Sequence, residues 1–147
     1  PLKPSTKTQM IQYKLEIVQV LVRIFAGVLF FFQGYDKIFK VKINGVVNAF
    51  LDEAEHHHIH RPMVTLIAYY TSLVEFVCGI TLVLGLFTDY SLYLLGLDLL
   101  LAAFAFSLVQ PMWDMKHLFP RFILVITLLL FPAEWNKRSL DFLFNLI

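Results

Sequence analysis

Four apolar stretches, each near the length of a bilayer crossing, constrain this chain more than any other feature. They run over 17–39, 63–86, 90–109 and 118–135. An α-helix rises 1.5 Å per residue, so about 20 apolar residues cover a hydrocarbon core of roughly 30 Å. A backbone in that core must satisfy its own hydrogen bonds, which makes helices the expected form of each stretch. The expected fold is an all-α membrane protein: an antiparallel four-transmembrane-helix bundle with a short amphipathic segment between helices one and two, a single domain over 1–147. The fourth stretch is the most interrupted, by Pro120, Arg121 and Pro132, although Trp113 and Trp135 flank it as interfacial aromatics do. Charged residues make up 16% of the chain, against about 25% for a soluble domain, so there is too little charge to cover a water-facing surface. A formal net charge of +1 excludes a strongly basic nucleic-acid binder. The lone Cys78 excludes an intramolecular disulfide, a dithiol redox pair and a cysteine-rich metal cluster.

The connections separate a tight hairpin from a larger loop. Phe87-Thr88-Asp89 joins the second and third stretches, with Gly85 supplying the flexible helix end. The first two are joined by residues 40–62, in which Val46, Val47, Phe50, Leu51 and Ala54 recur at helical spacing beside Asp52, Glu53 and Glu55. That pattern describes an amphipathic helix resting on the membrane or capping the bundle. Residues 136–147 repeat the theme as an interfacial segment, with Leu140, Phe144 and Ile147 on one stripe. The run from Ile17 is too long for a signal-peptide core and has no small-residue processing site after it, so it reads as a retained span. An even number of spans places both termini on one side, while the Lys and Arg residues nearly balance across the two sides and leave the orientation open.

Charged residues inside the spans are the candidate functional groups, because a charge in hydrocarbon costs several kcal/mol and seeks a partner, a cavity or the bundle interior. Counting inward from the terminal side puts Arg23, Glu75 and Asp98 in one layer, roughly 10 to 15 Å deep. Small residues share their faces: Gly27 and Gly34 with Arg23, Gly79 with Glu75, Ala102 and Ala105 with Asp98. Three readings stand: a structural Arg–carboxylate network, a ligand site, or snorkelling to the interface. Two acids beside a single base make one of them a candidate to retain a proton. A second polar cluster gathers toward the other side from Gln33, Asp36 and Lys37 with Trp113, Asp114, Lys116, His117 and Arg121. It reads as an interfacial salt-bridge belt or as the approach to an anion or quinone headgroup. Among these, Glu75, Asp98 and His117 are the candidate proton-transfer residues. Asp52, His56 and His60 share one face of a helix and form a candidate metal set, set against a pH-sensitive polar surface.

The segment LVRIFAGVLFFFQGYDKIF, with Arg23, Gly34 and Lys37, and the segment LVEFVCGITLVLGLFT, with Glu75, Gly79, Gly85 and Thr88, resemble the DoxX/DoxD-like membrane protein family. The C-terminal Ser139-Leu140-Asp141 resembles that family's closing element. Its founding members include the small membrane subunit of a thiosulfate:quinone oxidoreductase. The resemblance implies four transmembrane helices in a bacterial cytoplasmic (inner) membrane and an auxiliary subunit linked to quinone or sulfur redox metabolism. Quinone is the cofactor it implies, and the partners expected are membrane lipids and other membrane or peripheral subunits. In that role Arg23 orients an anionic oxygen and Glu75 or Asp98 handles a proton. The alternatives are a purely structural or assembly subunit of a larger complex, and a small-molecule transporter.

Overall fold

The computed structural model describes residues 6–56, 58–109, 115–132, 135–136 and 139–144, and every regular element among them is helical. Helix α1 spans Thr6–Tyr35 and runs without a break into a π-helical segment, Asp36–Lys40. Lys42 at φ 61° then turns the chain into α2, Lys42–His56. Helix α3 spans Arg61–Leu84, α4 Thr88–Val109, α5 Met115–Leu130, and a single short turn, α6, covers Leu140–Leu143.

Local chemistry accounts for most of these boundaries. His60 is extended at the N-cap of α3 and Pro62 occupies its first turn, where a missing N–H costs nothing. Gly85 at φ 67° closes α3 in the left-handed conformation, and the amide of Leu86 reaches back to the carbonyl of Thr81 at 2.9 Å. The π-helical segment is sealed by the Val41 amide on the Asp36 carbonyl at 2.8 Å. Its wider turn sends Lys37 inward and leaves Lys40 paired with Asp36 outside at 2.7 Å.

The four-span expectation is corrected. Among the described residues three helices are long and apolar enough to cross a bilayer: Gln9–Lys40, Arg61–Leu84 and Thr88–Ser107. The apolar part of α5, Leu118–Leu130, is a shorter helix; it covers only about 20 Å of a core roughly 30 Å thick. Pro120 removes a backbone donor near its start, and Pro132 follows two residues after its end, so Trp135 falls outside the helix. Helix α1, by contrast, begins at Thr6 rather than near Ile17, and its candidate span has 32 residues. Helix α5 still closes the core, where Leu118, Val125 and Leu128 meet Ala26 and Phe30 of α1, Cys78 and Leu82 of α3, and Leu92, Leu95 and Leu99 of α4. Helix α2 packs on α3 through a separate cluster of Ile43, Val47, Ala54, Val64 and Ala68. Outside these clusters, Leu21, Phe25, Phe32, Leu66, Leu73, Leu97, Leu100 and Phe104 face outward, a belt suited to lipid.

The bundle is organised by one backbone-to-backbone crossing. A Cβ on Gly34 would lie 2.7 Å from Cα of Phe76, and one on Gly79 would lie 2.6 Å from Cα of Phe31. A Cβ on Gly27 would come within 2.8 Å of the Val83 backbone. Without a strong hydrophobic drive between helices in lipid, this intimacy is what dispersion and shape require. Gly34→Ala is therefore expected to destabilise the protein by about 1–3 kcal/mol. Gly96→Ala, whose Cβ would meet only Val125 Cγ1 at 3.9 Å, is expected to stay within about 0.5 kcal/mol. Thermal unfolding in detergent compares them, and equal effects would show that the crossing tolerates a methyl group.

Candidate functional site

The crossing of α1 on α3 sets Lys37 against Glu75. Lys37 Nζ lies 2.7 Å from Glu75 Oε2, with the two side chains 24% and 4% exposed. Both residues line a cavity of about 350 Å³ enclosed by α1, α2, α3, α4 and α5. Its walls are apolar: Val46, Phe50 and Ala54 from α2, Val64, Ile67 and Ala68 from α3, Ala102, Ala105 and Phe106 from α4, Leu118 from α5. Phe50 and Phe106, both on its wall, meet at a tilt of 53° with centroids 5.5 Å apart. Its polar groups are few: Gln33, Lys37, Thr71, Glu75 and Arg121. Arg121 lies within electrostatic range of Glu75. Few polar groups on an otherwise apolar concave surface suit a molecule with a hydrophobic body and a polar head.

Asp98 lies in the same layer, because Glu75 is ten residues before Gly85 and Asp98 ten residues after Thr88 across the α3–α4 hairpin. It is 1% exposed and within electrostatic range of Glu75 and Lys37, but it stands off the cavity wall. Arg23 does not join this layer. It sits at the level of the hairpin turn, about 15 Å away along α3 at the helical rise. The depth count from Ile17 misplaces it because α1 begins earlier and overshoots the hairpin.

Arg23 belongs to a polar knot instead. Its Nη1 donates to Asn136 Oδ1 at 2.9 Å, and Asn136 Nδ2 donates to Thr88 Oγ1 at 3.1 Å. The guanidinium presses on Gly85, where any Cβ would collide with it. Asp141 lies within electrostatic range of Arg23 and accepts hydrogen bonds from the amides of Phe87 and Thr88, the second at 2.8 Å. It thereby caps the N-terminus of α4 from a remote part of the chain. The Asp141 amide returns a bond to the Gly85 carbonyl at 2.9 Å, and Ser139 Oγ caps α6 by accepting from the Phe142 amide at 3.2 Å. Phe87, left-handed at φ 50°, is a costly conformation for an aromatic residue, and the Asp141 carboxylate holds its amide there.

The second polar cluster divides in the same way. Gln33, Lys37 and Arg121 reach the cavity, whereas Asp36 turns outward to Lys40. Trp113, Asp114 and the side chain of His117 lie outside the described residues, as do the side chains of Asp52 and His56. His60 is exposed at the start of α3. Among the described residues no three His, Cys, Asp or Glu side chains gather closely enough to hold a metal ion. Sequence reasoning missed Asn136. The available signal was Ser139, an N-cap residue before an acidic first turn, which marks the C-terminal segment as an ordered cap rather than a surface stripe.

Apolar helices of crossing length, a lipid-facing belt and a Lys37–Glu75 ion pair on the wall of a largely apolar cavity define an integral membrane protein. The family model DoxX matches residues 18–108, more than half of the chain, and the protein belongs to the DoxX family. The matched region carries Arg23, Gly34, Lys37, Glu75, Gly79, Gly85 and Thr88, but ends before Asn136 and Asp141. Comparison with curated proteins and with solved structures gave no match.

Removing the remote cap tests the knot. Asp141→Ala is expected to cost about 1–2 kcal/mol, the usual loss for a helix N-cap. Amide hydrogen exchange should show Phe87 and Thr88 losing protection while the middle of α3 keeps it. Unchanged protection at Phe87 and Thr88 would show that the turn holds itself.

Proposed function

We propose that this DoxX-family protein is an auxiliary membrane subunit whose cavity holds a quinone-type molecule for sulfur-linked or related redox metabolism. The observation that carries the reading is the chamber itself: apolar walls from four helices, interrupted by the polar groups of Gln33, Lys37, Thr71, Glu75 and Arg121. Its volume, about 350 Å³, lies at the small end of ligand pockets and suits a single-ring head more than a long tail.

The residues present fit such a group. Lys37 and Arg121 would bind a carbonyl oxygen and stabilise negative charge on it, while Glu75 would exchange a proton there. A quinone supplies two-electron, two-proton chemistry when bound. This chain has one cysteine, the buried Cys78, so the electrons would come from another subunit. In this reading the protein sits in a bacterial inner membrane, and the short α5, although not of crossing length, brings the C-terminal segment back to the face where α3 ends and α4 begins. The docking of α6 on the α3–α4 turn beside Arg23 supports that arrangement.

Purification in mild detergent, followed by mass spectrometry that retains subunits and lipids, tests the proposal. A co-purifying quinone is the expected result, and decylubiquinone added to the delipidated protein should bind. Lys37→Met and Glu75→Gln should each weaken that binding about 10- to 100-fold, the scale of a lost charged hydrogen bond. Stable protein partners with no quinone bound, and no decylubiquinone binding, would point to assembly alone.

A further inference from the structure

Asp98 is the most deeply buried acid among the described residues. It is 1% exposed, and neither carboxylate oxygen has a hydrogen-bond partner there. The groups facing it are Glu75 and Cys78 of α3 and Lys37 of the π-helical segment. Lys37 is bonded to Glu75 at 2.7 Å, and Arg121 of α5 also reaches Glu75. Both cations thus bear on Glu75, on the cavity wall, whereas Asp98 feels Lys37 only at a distance and has no hydrogen-bond donor among the described residues. An ionised carboxylate lacking hydrogen bonds in a dry interior costs several kcal/mol, and a neighbouring like charge adds to the cost. Taking up a proton removes both penalties.

We propose that Asp98 is carried as the neutral acid and stores one exchangeable proton behind the cavity, with Glu75 as its outlet. In the transfer, relayed by a water or by rotation of the side chains, the O–H bond at Asp98 breaks and one forms on the Glu75 carboxylate. The negative charge passes from Glu75 to Asp98, and no electrons move between groups. Glu75 then faces the cavity as an acid able to protonate a basic oxygen of a molecule held there. The proposal rests on the cavity reading only for that final acceptor; its test needs no ligand.

Infrared spectroscopy of the ligand-free, full-length protein at neutral pH is the experiment. The carbonyl stretch of a protonated carboxyl group should be present, shift down in heavy water, and shift when aspartate carboxyls carry an isotopic label. It should be lost in Asp98→Asn. If that variant does not fold, Asp98→Glu keeps the acid and should remove the band from the aspartate-labelled set. Absence of the band in the wild-type protein, or persistence of the aspartate-labelled band in either variant, overturns the proposal. A protein that shows the band but binds no decylubiquinone loses the quinone reading and keeps this one; binding without the band does the reverse.

Discussion

Gly34 against the backbone of Phe76, and Gly79 against that of Phe31, allow α1 and α3 to touch main chain to main chain, and the other polar arrangements follow from that crossing. Because the helices are antiparallel, a fixed contact at the middle determines what meets at both ends. Lys37 arrives opposite Glu75 toward one end, and Arg23 arrives opposite Gly85 at the other. A side chain at either glycine would push the helices apart and loosen both. Close packing matters more in lipid than in water, since dispersion and hydrogen bonds do the work that the hydrophobic effect does elsewhere.

The two ends use polarity differently. At the hairpin end hydrogen bonds link Arg23 to Asn136 and Asn136 to Thr88, while Asp141 caps α4 and holds Phe87 in its left-handed turn. A network of that kind fixes geometry and offers little to a ligand. Beneath α2 the balance is incomplete. Lys37 and Glu75 are paired but open to a chamber, and Asp98 is buried behind them without a donor among the described residues. Buried polarity left incomplete beside a cavity is the more informative kind, because a purely structural element gains nothing from it.

That division also gives physical meaning to the residues that carry the family resemblance. Gly34 and Gly79 make the crossing; Gly85 accommodates the Arg23 guanidinium and ends α3; Thr88 joins the knot; Lys37 and Glu75 form the ion pair on the chamber wall. The short π-helical segment belongs with the last pair, since it turns Lys37 inward while its neighbours Asp36 and Lys40 pair outside. Helix α2 completes the enclosure by laying Val46, Phe50 and Ala54 over the chamber.

Much was legible in the sequence alone. Apolar length marked the three spanning helices, the stripe through Val47, Phe50 and Ala54 marked an amphipathic helix, Gly85 marked the end of α3, and counting from the hairpin put Glu75 and Asp98 at one depth. These are local properties, set by periodicity and by backbone preferences within a few residues. A fourth span was not decided locally: Pro120 and Pro132 shorten α5, yet its side chains still fill the core beside α4. Nor could spacing say that Arg23 would leave the acids for Asn136, or that Lys37 would take its place. Those partnerships join residues far apart in the chain, and only the glycine crossing of α1 on α3, with the C-terminal segment folded onto the hairpin, brings them together.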